Sequence, residues 1–217
     1  MMGGQACVLY GAAEFSRDTD IAILASSENC ELLKSALRTL QAHRIAVPPF
    51  ELSFLQKGHA IHFRCYHPEV FRIRIDVMSV MRGVDVFEKL WERRARIMLP
   101  TEGAVELLSL PDLVRAKKTQ RDKDWPMIRR LIDAEYVGTT YPSDDKVEFW
   151  LMESRTPRML VELAQRYKQQ AAELVSARSL LAAAIQGNEA VIEDGLAQEQ
   201  MVDGKLTEGT GCLCMRN

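Results

Sequence analysis

Asp18 and Asp20 stand two residues apart at the mouth of the run Asp-Ile-Ala-Ile-Leu-Ala, and a third acid, Asp76, sits inside Phe-Arg-Ile-Arg-Ile-Asp-Val-Met-Ser-Val. Side chains alternate along an extended chain, so acids at i and i+2 point to one side. A carboxylate placed mid-strand among apolar neighbours needs a partner, either a metal or an arginine. Three such carboxylates can bind two Mg2+ (or Mn2+) ions. Magnesium favours a few carboxylates together with substrate phosphates, and a two-metal clamp activates an attacking oxygen while stabilising a leaving pyrophosphate. Upstream, Gly3 and Gly4 precede a short helical stretch. Glycines at such a turn let backbone N–H groups approach a triphosphate, and the start of a helix adds a favourable partial charge.

These residues need elements to position them. Small and apolar residues at helical spacing predict a short helix over 5–15, followed by a turn at Ser-Arg-Asp-Thr-Asp. Residues 20–25 read as a buried strand. Residues 26–29 offer helix caps, and Leu32, Leu33, Ala36, Leu37 and Leu40 predict a helix from Glu31 to His43. After Pro48-Pro49, residues 51–56, 60–66 and 71–80 read as three strands of a mixed or antiparallel sheet. In the last, Phe71, Ile73, Ile75 and Val77 alternate with Arg72, Arg74, Asp76 and Met78, which places Asp76 on the polar face. Residues 86–98 read as helix, and a further helix starts at Ser109 with serine as cap and Pro111 in the first turn, running to Trp125, where Pro126 kinks or restarts it. Residues 146–186 are helix-compatible, with Leu160, Leu163, Ala164 and Tyr167 on one stripe. The glycine-rich end, residues 203–217, is expected to be disordered.

The 217 residues carry a net charge of −2, with 47% hydrophobic and 27% charged residues. That balance suits a folded domain with a helical appendage and lacks the global basic field of a DNA-coating protein. Five scattered cysteines form no CxxC pair, so neither a disulfide framework nor a zinc site is indicated. No run reaches the ~18 apolar residues of a membrane span. A cytoplasmic location without membrane partners is expected.

The segment from Gly3 to Leu24, together with Arg-Ile-Asp-Val-Met-Ser, resembles the signature of the DNA polymerase β-like nucleotidyltransferase superfamily: a glycine pair, a spacer, an acid-x-acid pair and a third acid on a strand. The stretch Leu107–Leu131 further resembles bacterial nucleotidyltransferases related to abortive-infection toxins. The resemblance covers roughly residues 3–135. It implies an α+β nucleotidyltransferase fold, a mixed central sheet flanked by helices, with a C-terminal helical module. The implied organisation is a catalytic core over 1–100, a helical region over 101–200 and a tail over 201–217. Gly3 and Gly4 match the phosphate loop, Asp18 and Asp20 the metal pair, Asp76 the third carboxylate, and Lys117 or Lys118 the nucleotide-contacting lysine. The spacing of Lys117, Arg121 and Asp124 on one helix face favours Lys117. The implied ligands are an NTP such as ATP and Mg2+ or Mn2+; the implied acceptor is tRNA or another RNA, a protein hydroxyl or a small molecule. A toxin-like member adds an antitoxin protein as partner. Two departures stand out: the superfamily's strand before the glycine pair is absent, and Gly4 stands where the motif also uses serine.

Other residues have simpler readings. The run Lys117, Lys118, Arg121, Lys123 is also what an ordinary charged helix face looks like. Arg72 and Arg74 would pair with acids or bind phosphate. His59 and His62 would face opposite sides, and Trp91, Trp125 and Trp150 would serve packing. A catalytically degenerate nucleotide- or RNA-binding module of the same fold is the rival reading.

Overall fold

The computed structural model describes residues 1–81, 83–101, 103–118 and 124–208, with the side chains of 203–208 outside the description. The described residues divide into two compact units, Met1–Ala116 and those from Lys117 onward.

In the first unit, helix α1 (Gly3–Leu9) leads through a loop into strand β1 (Asp18–Ala22), and α2 (Ser27–Thr39) follows. The cap expected near residues 26–29 is Ser26, whose hydroxyl accepts the Asn29 amide. Then come β2 (His43–Arg44), α3 (Leu52–Gln56), β3 (Ile61–Arg64), a 3-10 turn (Pro68–Val70), β4 (Arg74–Met78), α4 (Phe87–Glu92), β5 (Ala95–Leu99), β6 (Gly103–Leu107) and α5 (Leu110–Lys118). A four-stranded sheet has the order β1-β4-β3-β2. The β1–β4 pair is parallel and the other two are antiparallel, so the sheet is mixed. Its apolar face packs Ile61, Phe63, Ile75 and Val77 with Leu37, Leu55 and Cys30 into one core. Strands β5 and β6 form a separate hairpin.

Three expectations change here. Residues 51–56 are mostly helical, not a strand: Leu52 and Leu55 lie at helical spacing, Leu55 is fully buried, and Gly58 at φ 82° closes the turn. The helix expected over 86–98 stops at Glu92. Beyond it Ala95, Ile97 and Leu99 alternate with exposed residues in β5, and Arg94 and Arg96 both reach Glu106 on β6. The tail expected to be disordered is helical as far as Glu208, and residues 209–217 lie outside the described residues.

The second unit holds α6 (Trp125–Gly138), α7 (Asp144–Glu153), α8 (Pro157–Arg166), α9 (Lys168–Glu173), α10 (Leu180–Ile185) and α11 (Glu189–Glu208). Pro126 opens α6 rather than kinking it, since its missing N–H is not needed there. Leu160, Leu163 and Ala164 are buried on one stripe of α8, as their spacing predicts. Trp125 and Trp150 are buried packing residues, whereas Trp91 in the first unit is 46% exposed.

Candidate functional site on the polar face of the sheet

The parallel pairing of β1 with β4 places Asp20 opposite Asp76 and Asp18 opposite Arg74. Because Thr19, Ile21, Ile75 and Val77 take the other face, Asp18, Asp20, Arg74 and Asp76 share one side. The antiparallel partner β3 adds His62, directly opposite Asp76. Two apolar-periodic strands in parallel register therefore bring the three predicted acids onto one face of neighbouring strands.

The glycine pair meets this cluster from the outer side of β1. Met2 bridges to Asp20, its amide donating to the Asp20 carbonyl at 2.9 Å. That bridge lies on the outer edge of β1, the end strand of the sheet. Gly3 is left-handed at φ 63°, and a Cβ there would lie 1.8 Å from Asp20 Oδ2. Only glycine lets this loop close over the carboxylate. The Gly4 amide donates to the same oxygen at 3.4 Å, and a Cβ on Gly4 would meet the Ser16 hydroxyl at 2.3 Å. The amide expected to cradle phosphate thus points at Asp20.

Asp76 is 8% exposed and heavily engaged. Arg74 grips it with two hydrogen bonds, Nε to Oδ1 at 2.7 Å and Nη2 to Oδ2 at 2.8 Å, a planar bidentate match. His62 Nδ1 lies 2.8 Å from Asp76 Oδ1 and 3.1 Å from Arg74 Nη2. Since a guanidinium can only donate, an Nδ1–H bonded to Asp76 leaves the Arg74–His62 approach as mere proximity, and an unprotonated Nδ1 reverses the two roles. The Arg74 guanidinium is held above its ordinary pKa, first by its hydrogen bonds to Asp76 and also by the fields of Asp76, Asp18 and Asp20, against a desolvation effect that lowers it. Arg74 therefore settles the open question over the arginines on this strand: it pairs with Asp76 itself. Arg72 is exposed at φ 68° beside Phe71. Arg64, one cross-strand step from Arg74, buries an Nε with no hydrogen-bond partner.

The donor set suits a hard divalent cation in chemistry and orientation: oxygen ligands from two i, i+2 aspartates, one of them seated in a glycine cradle. As placed, however, no group of three His, Cys, Asp or Glu ligands among the described residues is close enough to hold a metal. Both oxygens of Asp76 are taken up by Arg74 and His62. Asp18, whose carboxylate accepts no hydrogen bond among the described residues, and Asp20 are the residues that fit such an ion.

The remaining predicted residues lie in the second unit. Lys117 is 8% exposed, and its ammonium faces Asp124 Oδ1 at 3.4 Å. Lys118 pairs with Glu153 at 2.6 Å. The single helix face proposed for Lys117, Arg121 and Asp124 is not continuous in what is described: α5 is described to Lys118, α6 begins at Trp125, and Arg121 and Lys123 lie outside the described residues. Sequence reading missed His62, because its place depends on the β3–β4 register. The signal was the alternation of Ile61 and Phe63 around it, which forces His62 onto the face of Asp76.

Among the described residues no helix is long and apolar enough to cross a membrane. No family model matches this sequence, and a search of curated proteins returns no match.

Proposed function

We propose that the chain is a divalent-metal-dependent nucleotidyltransferase of the polymerase β-like fold, transferring a nucleotidyl group from an NTP to a hydroxyl. The observation that supports this reading is the convergence of Asp18, Asp20 and Asp76 on one face of two parallel strands, with Gly3 closing over Asp20. In the transfer, the acceptor oxygen bonds to the α-phosphorus and the bond from that phosphorus to the bridging oxygen of the β-phosphate breaks. Pyrophosphate leaves, and the hydroxyl proton passes to a carboxylate of the cluster. Magnesium, when bound, supplies Lewis-acid stabilisation of the phosphate charge. Asp18 and Asp20 hold the cation and Gly3 fixes the Asp20 carboxylate. Asp76, positioned by Arg74 and His62, completes the anionic wall. The acceptor is an RNA such as tRNA, a protein or a small molecule; a toxin-like member of this class would be restrained by an antitoxin protein.

A second reading has its own support. Arg74 gives Asp76 an internal counter-ion, as expected of a degenerate site that binds nucleotide without turning it over. Pyrophosphate release from each NTP with Mg2+ and bulk tRNA, for the unmodified chain and its Asp18→Ala, Asp20→Ala variant, separates the two. Release confined to the unmodified chain is expected. Nucleotide binding that requires Mg2+, with no release over the variant's background, would favour the binding module.

A further inference from the structure

A groove of about 730 Å3 opens in the first unit between α2 and α4. Ala22 and Leu24 at the end of β1, Leu32 of α2, and Phe87 and Trp91 of α4 give it apolar walls. Leu32 is 63% exposed and Trp91 46%, while Phe87 stacks on Trp91 with centroids 5.8 Å apart. An open apolar concavity of this kind signals a ligand more often than a bare surface, and its volume falls within the ~300–1,000 Å3 of small-molecule sites.

Charge narrows the ligand class. The charged residues lining the groove are Glu88 and Glu92, one helical turn apart on α4, and neither takes part in an ion pair among the described residues. No lysine, arginine or histidine lines it. Two carboxylates with no ion pair among the described residues, beside aromatic walls, attract a cation with an apolar body, while Arg94, which lines the neighbouring pocket, stacks on Trp91 at 4.1 Å. The groove is also well placed, because Ala22 lies two residues beyond Asp20 on the same strand face, about 7 Å along the chain.

We infer that this groove binds a small amphipathic amine and holds it as the acceptor, its apolar body against Trp91 and Leu32, its ammonium at Glu88 and Glu92, and a hydroxyl toward Asp20. The acceptor role rests on the transferase reading; the binding does not.

The test titrates the full chain with phenethylamine, phenethyl alcohol and phenylacetate, probes of similar size and different charge, followed by amide NMR. Phenethylamine should bind about tenfold more tightly than phenylacetate and shift amides in 22–36 and 87–92. Glu88→Gln with Glu92→Gln should bring amine and alcohol to equal affinity. Leu32→Lys, at an exposed position, should weaken the amine about fivefold while the remaining amide spectrum stays dispersed. Equal binding of all three probes, shifts confined to other residues, or an amine preference that survives the double substitution would overturn the inference. Amine binding without pyrophosphate release from the unmodified chain breaks the transferase reading and leaves the groove standing. Transfer to tRNA without amine binding breaks the groove proposal alone.

Discussion

The polar face of the first unit's sheet and the helices of the second unit both bury charge, and they do so differently. In the second unit, acids and bases are matched into a closed network. Arg178, whose side chain is 4% exposed, donates to Glu199 and to the carbonyls of Leu151 and Ser154. Arg155 joins both Glu199 and Glu153, and Lys118 takes up Glu153 again. On the polar face of the first unit's sheet, Arg74 sits among three carboxylates, with Arg64 beside it on β3. Paired charges tie helices to one another, whereas a face with more acid than base leaves carboxylate oxygens beyond those its arginine takes up.

Substitutions can break or sharpen that contrast. The largest stability effect is expected from Arg178→Met, which leaves Glu199 to Arg155 alone and takes the donor from two carbonyls; about 3 kcal/mol should be lost in denaturant unfolding. A loss below about 1 kcal/mol would mean that the second unit does not depend on its charge network. Arg74→Met should act on binding instead. Freeing the Asp76 carboxylate should raise Mn2+ affinity about tenfold by calorimetry, with or without nucleotide present. Unchanged affinity would show that the guanidinium does not compete with metal and that the contrast between the units is only structural. Lys118→Met should cost least, within about 1 kcal/mol, since its pair with Glu153 is partly exposed, and transfer should be unaffected. A loss above about 2 kcal/mol would show that this pair contributes to the second unit as a buried pair does.

Much of the first unit could be read from residue order, and the exceptions have physical causes. The acid pair and Asp76 were legible because a charge inside an apolar run must be held by something, and alternation says on which side. Ser26 announced α2 because a serine ahead of a periodic apolar run can satisfy a free amide. Residues 51–56 were not legible: Leu52 and Leu55 fit a helix period while Leu52 and Phe54 fit a strand period, and packing of Leu55 decided between them. The β5 strand hid within Glu-Arg-Arg-Ala-Arg-Ile-Met, whose residues favour helix; cross-strand pairing of Arg94 and Arg96 with Glu106 outweighed that propensity. The identity of the cation beside Asp76 also escaped prediction. Metal and arginine satisfy the same local requirement, and only the rotamer of Arg74 distinguishes them.

Gly3 carries a consequence for inheritance. The space its side chain would fill already contains an oxygen of Asp20, so the two positions are tied as one unit of information although they stand 17 positions apart in the sequence (20 − 3). A chain that changed the first glycine could keep its backbone only by surrendering the aspartate. The glycine therefore records the presence of the carboxylate, and its replacement in a descendant would mark a lineage in which the acid has lost its task.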